Sequence, residues 1–101
     1  MKMLLTVEMP NEPFNSLAKD GKVGELLNKI LAAMKPEVTY FTEQDGLRAA
    51  IFVVDVESPS DVPALAEPFF LVFQAKCRFR ILMTPEDLKK AGLDELGKQW
   101  V

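Results

Sequence analysis

The sequence predicts an α+β fold in which helices cover one face of a four-stranded antiparallel sheet, in a single domain spanning residues 1–101. Three observations predict it. Strand-like and helix-like periodicities alternate in the order strand, helix, strand, strand, helix, strand, helix. Two of the strands are apolar on both sides: Met3, Leu5, Val7 and Met9 oppose Leu4, Thr6 and Glu8, and Ala50, Phe52, Val54 and Val56 oppose Leu47, Ala49, Ile51 and Val53. Strands of this kind need cover on both faces. Finally, 101 residues with 49% hydrophobic composition supply one modest core and helices for one face only. The second face is therefore expected to pack against another copy of the chain.

The first strand, Met1–Met9, ends at Pro10, and Asn11–Asp20 reads as a short helical turn and a loop, because Phe14 and Leu17 are out of phase with the apolar stripe that begins at Val23. From Val23 the spacing Val23, Leu26, Leu27, Ile30, Leu31, Met34 carries that stripe over three helical turns, stopped at Pro36. Glu37–Glu43 is rich in β-branched and aromatic residues, and Gln44-Asp45-Gly46 supplies turn chemistry before Leu47–Val56, so a β-hairpin is predicted. Ser60 is the expected N-cap of the next helix, with Pro63 in its first turn. Val62, Leu65, Ala66, Phe69 and Phe73 mark that helix's apolar face, and Pro68 predicts a kink or a split into two short pieces. Lys76–Met83 alternates as a half-buried or edge strand. Thr84-Pro85-Glu86-Asp87 then opens a last helix that Gly92 interrupts, leaving Leu93, Leu96 and Trp100 as an apolar tail.

This order is the split βαβ arrangement of the ferredoxin-like fold, βαββαβ, with an extra C-terminal helix. Its first and third strands lie at the centre of the sheet, and they are the two that read apolar on both sides. Topology and composition agree.

Composition excludes several functions. The net charge of −3 comes from 12 basic and 15 acidic residues mixed along the chain, with no basic run to neutralise phosphates, so nucleic acid is not expected as a partner. No uncharged run approaches the length of a membrane helix, and the start lacks a signal-like apolar core, which predicts a soluble, cytoplasmic protein. One cysteine and no histidine remove disulfides, imidazole-based triads, His-ligated haem and nearly every zinc arrangement. No metal or cofactor is expected.

Strand parity supplies the candidate site residues. The face away from the helices is expected to carry Leu4, Thr6 and Glu8, then Ala49, Ile51, Val53 and Asp55, then Arg78, Arg80 and Leu82. Glu8 on one strand and Arg78 and Arg80 on its neighbour form cross-strand ion pairs in this topology. Arg78 and Arg80 could clamp a carboxylate or enolate, with Glu8 as a candidate base. The plain alternative is that these are rim charges in exposed ion pairs worth roughly 0–1 kcal/mol. Tyr40 is a candidate for the same cavity wall, and Glu67, just before the helix-breaking Pro68, for a second wall. Each has a packing alternative. Cys77 is expected to be a buried small hydrophobe.

The whole arrangement resembles the dimeric α+β barrel superfamily, in which two ferredoxin-like sheets pack face to face. Ala50–Thr84, chiefly the strand ending Asp55-Val56-Glu57-Ser58, the helix after it and the closing strand, is locally similar to muconolactone isomerase, and the whole chain looks more like an uncharacterised bacterial family of that superfamily. The resemblance implies a homodimer or higher homo-oligomer with a cavity for a small organic molecule. Members that rely on histidine, such as chlorite dismutase relatives and the YciI-like proteins, do not fit a chain without one, and no catalytic residue carries over. The function expected is binding of a small anionic or aromatic metabolite, with cofactor-free isomerase- or oxygenase-like chemistry as an extension. The alternative is a non-catalytic interaction or scaffold subunit with a filled barrel.

Overall fold

A computed structural model describes residues 1–101. Its elements are β1 (Lys2–Met9), α1 (Asn11–Lys19), α2 (Val23–Met34), β2 (Val38–Gln44), β3 (Leu47–Asp55), α3 (Asp61–Phe73), β4 (Lys76–Ile81), α4 (Pro85–Lys90) and α5 (Leu93–Gln99). The fold is α+β, with one four-stranded antiparallel sheet in the order β2-β3-β1-β4. The two doubly apolar strands, β1 and β3, are central.

Parity decides which side chains meet the helices. Met3, Leu5, Val7 and Met9 of β1, with Ala50, Phe52 and Val54 of β3, form one buried cluster with Ile30 of α2 and Leu65, Phe69 and Phe73 of α3. Phe52 and Phe69 meet at 5.5 Å between ring centroids, and Phe14 of α1 meets Phe73 at 5.4 Å. The β2–β3 hairpin closes through Asp45 and Gly46, both at positive φ (52° and 81°), the two-residue turn that Asp-Gly favours. Lys35, left-handed at φ 48°, ends α2 just before Pro36.

Three expectations need correction. Asn11–Lys19 is a helix, not a turn and loop; only Glu12 departs from helical geometry inside it. Its phase differs from that of α2 because it packs Phe14 on α3 instead of continuing the α2 stripe. The second correction concerns α3, which runs unbroken through Pro68. Leu65, Phe69 and Phe73 lie at i, i+4 and i+8 and are all buried, so one stripe spans the proline and the helix is not split in two. Burying it outweighs the roughly 3 kcal/mol of a mid-helix proline, and the exposed Ala64 leaves the freed carbonyl within reach of water. Third, Ser60 holds the N-cap position of α3 as expected, but its side chain makes no cap hydrogen bond. The Asp61 carboxylate instead accepts from the Glu57 and Ser58 backbone N–H groups, both at 3.1 Å, and so holds the β3–α3 loop against the helix start.

The C-terminal part keeps its predicted chemistry. Thr84 and Asp87 form a reciprocal capping box at α4, and Gly92 at φ 68° separates α4 from α5. Neither helix has a buried residue. They extend from the end of β4 as an arm, and the molecule measures 60 × 28 × 20 Å with a radius of gyration of 17.2 Å, against about 13 Å for a compact chain of this length.

Candidate functional site

With α1, α2 and α3 packed on one side, the other side of the sheet is uncovered. The register sets its residues in rows. Thr42, Ala49, Glu8 and Lys76 form one; Tyr40, Ile51, Thr6 and Arg78 the next; Val38, Val53, Leu4 and Arg80 the third. The face therefore has a largely apolar middle, a cationic border on β4 and a border on β2 that carries one aromatic residue, Tyr40. The parity expected for Leu4, Thr6, Glu8, Ala49, Ile51, Val53, Arg78 and Arg80 is the parity found.

Glu8 sits directly opposite Lys76 and one diagonal step from Arg78. The diagonal wins: Arg78 Nη1 lies 3.0 Å from Glu8 Oε2. Glu8 is buried at 7% exposure, the only buried charged residue of the chain, whereas the Arg78 side chain is 63% exposed. A carboxylate taken from water beside two cations is held as an anion-and-cation unit, and no buried side-chain polar atom lacks a partner. Arg80 has no ion-pair partner, and its direct neighbour across the strand pair is the apolar Leu4. Tyr40 is 67% exposed at the far end of its row, about 14 Å from Arg78 on three strand spacings.

Glu67 is not part of this arrangement. It is exposed on α3, on the opposite side of the sheet from Arg78 and Arg80. The burial of Leu65 and Phe69 turns position 67 outward, a consequence of helical spacing already present in the sequence. Lys76 is the residue that sequence reasoning missed. It shares a row with Glu8, and the signal was its place at the first position of the strand, with the parity of Arg78 and Arg80.

Arg78, Arg80, Glu8 and Tyr40 line none of the clefts of the single chain; they stand on an open shelf. The cleft at the strand ends, about 520 Å³, lies between Met1, Lys2, Glu37, Asp55, Thr84 and Asp87, and its charged groups are engaged with one another or with backbone: Lys2 pairs with Glu37, the Met1 ammonium meets Asp55 at 3.1 Å, and Asp87 caps α4. Cys77 belongs to the other face, half-buried beside the core, and burial pushes its thiol up to about 11. No cluster of His, Cys, Asp or Glu converges in a way that could hold a metal ion. No helix is long and apolar enough to cross a membrane.

Comparison with protein-family models, with curated proteins and with solved structures finds no match to this chain.

Proposed function

We propose that the chain is a ferredoxin-like subunit of a homodimer of the dimeric α+β barrel type, and that a second copy covers the open sheet face to enclose a small anionic or aromatic metabolite. One observation carries the reading: an unpaired arginine, Arg80, stands at the edge of an uncovered apolar shelf beside an already satisfied Glu8–Arg78 pair. A free guanidinium offers two parallel donors to a carboxylate, and an apolar floor suits the rest of such a molecule. Glu8 is engaged by Arg78, so the reading is of binding, with no reaction assigned.

A thermal-shift series with benzoate, salicylate and short aliphatic carboxylates tests it. The wild-type chain is expected to gain stability with at least one of them, and Arg80→Ala to lose that gain while keeping its fold. A carboxylate that stabilises Arg80→Ala as much as wild type rules the site out.

A second reading has its own support. Since none of the four residues lines a cleft in the single chain, the face also suits a solidly packed interface in a scaffold subunit that takes no ligand. A dimer that no carboxylate stabilises favours it.

A further inference from the structure

The helices leave one corner of the sheet half-covered, and a cavity of about 250 Å³ lies there between Met9, Phe14, Leu27, Phe41 and Arg48. Its origin is local. Phe41 shares the helix-side face with its cross-strand partner Ala50, yet Phe41 is 56% exposed and Ala50 only 1%. Cover by α1 and α2 therefore stops between β3 and β2, and the Phe41 ring stands as an open wall.

Arg48 is the one charged residue at this cavity. Two contacts from α1 hold its guanidinium: the Phe14 ring, with its centroid 4.2 Å away, and the Asn15 Oδ1, which accepts from Nη1 at 2.7 Å. No carboxylate pairs with it. Glu43, directly opposite on β2, accepts instead from the Gly46 backbone N–H at 2.9 Å, and Glu12 of α1 accepts from the Ser16 hydroxyl at 2.7 Å. A guanidinium carries five N–H donors, of which Asn15 takes one.

We propose that this corner binds a small aromatic carboxylate, with the ring in the apolar cavity against Phe41 and the carboxylate on the Arg48 guanidinium. The chemistry of the walls sets the class of ligand. A fork of donors already oriented by Phe14 and Asn15 suits a carboxylate, because little freedom is left to lose on binding. The ring gains an aromatic neighbour in Phe41. Size sets the rest: the cavity is smaller than the roughly 300–1,000 Å³ of sites for drug-sized molecules, so it takes a single ring on a short acid arm. The inference does not rest on the open-face reading. It gives a similar ligand a different seat, formed within a single chain, and Arg48 lines a cavity where Arg80 lines none.

Phenylacetate is titrated into the full chain and followed by ligand-observed NMR, with phenylacetamide as its neutral counterpart. Wild type is expected to bind phenylacetate saturably and the amide about tenfold more weakly, and Arg48→Ala to raise the phenylacetate Kd about tenfold or more. Phe41→Ala, at an exposed position that the core does not need, is expected to raise it about threefold, and decides the matter if loss of Arg48 loosens α1. Arg80→Ala is expected to leave it unchanged. No saturable binding of phenylacetate overturns the site, and so does equal affinity for acid and amide, or a Kd that Arg48→Ala and Phe41→Ala leave as in wild type. A loss of binding in Arg80→Ala overturns it in favour of the open sheet face.

Discussion

Arg78 reaches diagonally over β1 to place its Nη1 3.0 Å from the Glu8 carboxylate, while Arg80, two residues on, pairs with nothing. The two arginines share strand, face and charge, yet only one of them compensates a buried anion. Arg78→Ala strands Glu8 and is expected to cost about 1–3 kcal/mol in urea unfolding. Arg80→Ala is expected to stay within about 0.5 kcal/mol. Equal losses would contradict the pairing.

The core depends on α3 keeping one stripe against the sheet. Phe69 is fully buried against Phe52, so Phe69→Ala is expected to destabilise by about 3–5 kcal/mol. Pro68→Ala restores a donor to the Ala64 carbonyl without altering the buried stripe, and is expected to raise the unfolding midpoint, with a gain in stability of up to about 3 kcal/mol. A lower midpoint would mean that the proline ring, which lines the groove between α2 and α3, packs better than the restored hydrogen bond stabilises.

At the β2–β3 turn, Gly46 holds φ 81° with open space around it, so the penalty for a side chain is conformational and not steric crowding. Gly46→Ala is expected to lose about 1–2 kcal/mol, and Gly46→Asn less than half of that, measured by thermal unfolding. Equal losses would argue against the left-handed turn.

Cys77 gives a pH dependence with a definite sign. Burial raises its folded-state value from 9.0 to about 11. The unfolded chain therefore releases this proton first, and the thiol's contribution is intact below pH 9 and falls between pH 9 and about 11. Cys77→Ala is expected to flatten that part of the stability profile. In the wild type at about pH 8, a thiol reagent is expected to label the folded chain far more slowly than the urea-unfolded chain.

Much of this architecture is legible in the sequence because it is written in local pattern. Period-two alternation assigns Glu8, Arg78 and Arg80 to one face, Asp45-Gly46 marks the hairpin, and Thr84 with Asp87 marks a helix start. What pattern missed depends on tertiary packing. Pro68 argues locally for a break, which the burial of Phe69 and Phe73 overrides. Asn11–Lys19 lies between Pro10 and Gly21 and is anchored on the core by Phe14 and Leu17, and Phe14 meets Phe73 and the Arg48 guanidinium, 4.2 Å from its ring centroid, contacts that local spacing does not encode. Glu67 was readable: two residues from Leu65 on a helix is the outward side. Leu93, Leu96 and Trp100 show as an apolar tail, but the pattern does not say that the tail leaves its own domain.

That departure has a practical consequence. The arm's helices, six and seven residues long and held by hydrogen bonds and one ion pair between close neighbours along the chain, are the kind of segment that opens readily, and trypsin finds Lys89, Lys90 and Lys98 there. Mild proteolysis is therefore expected to trim the chain at the arm first and to leave the sheet with α1, α2 and α3 whole.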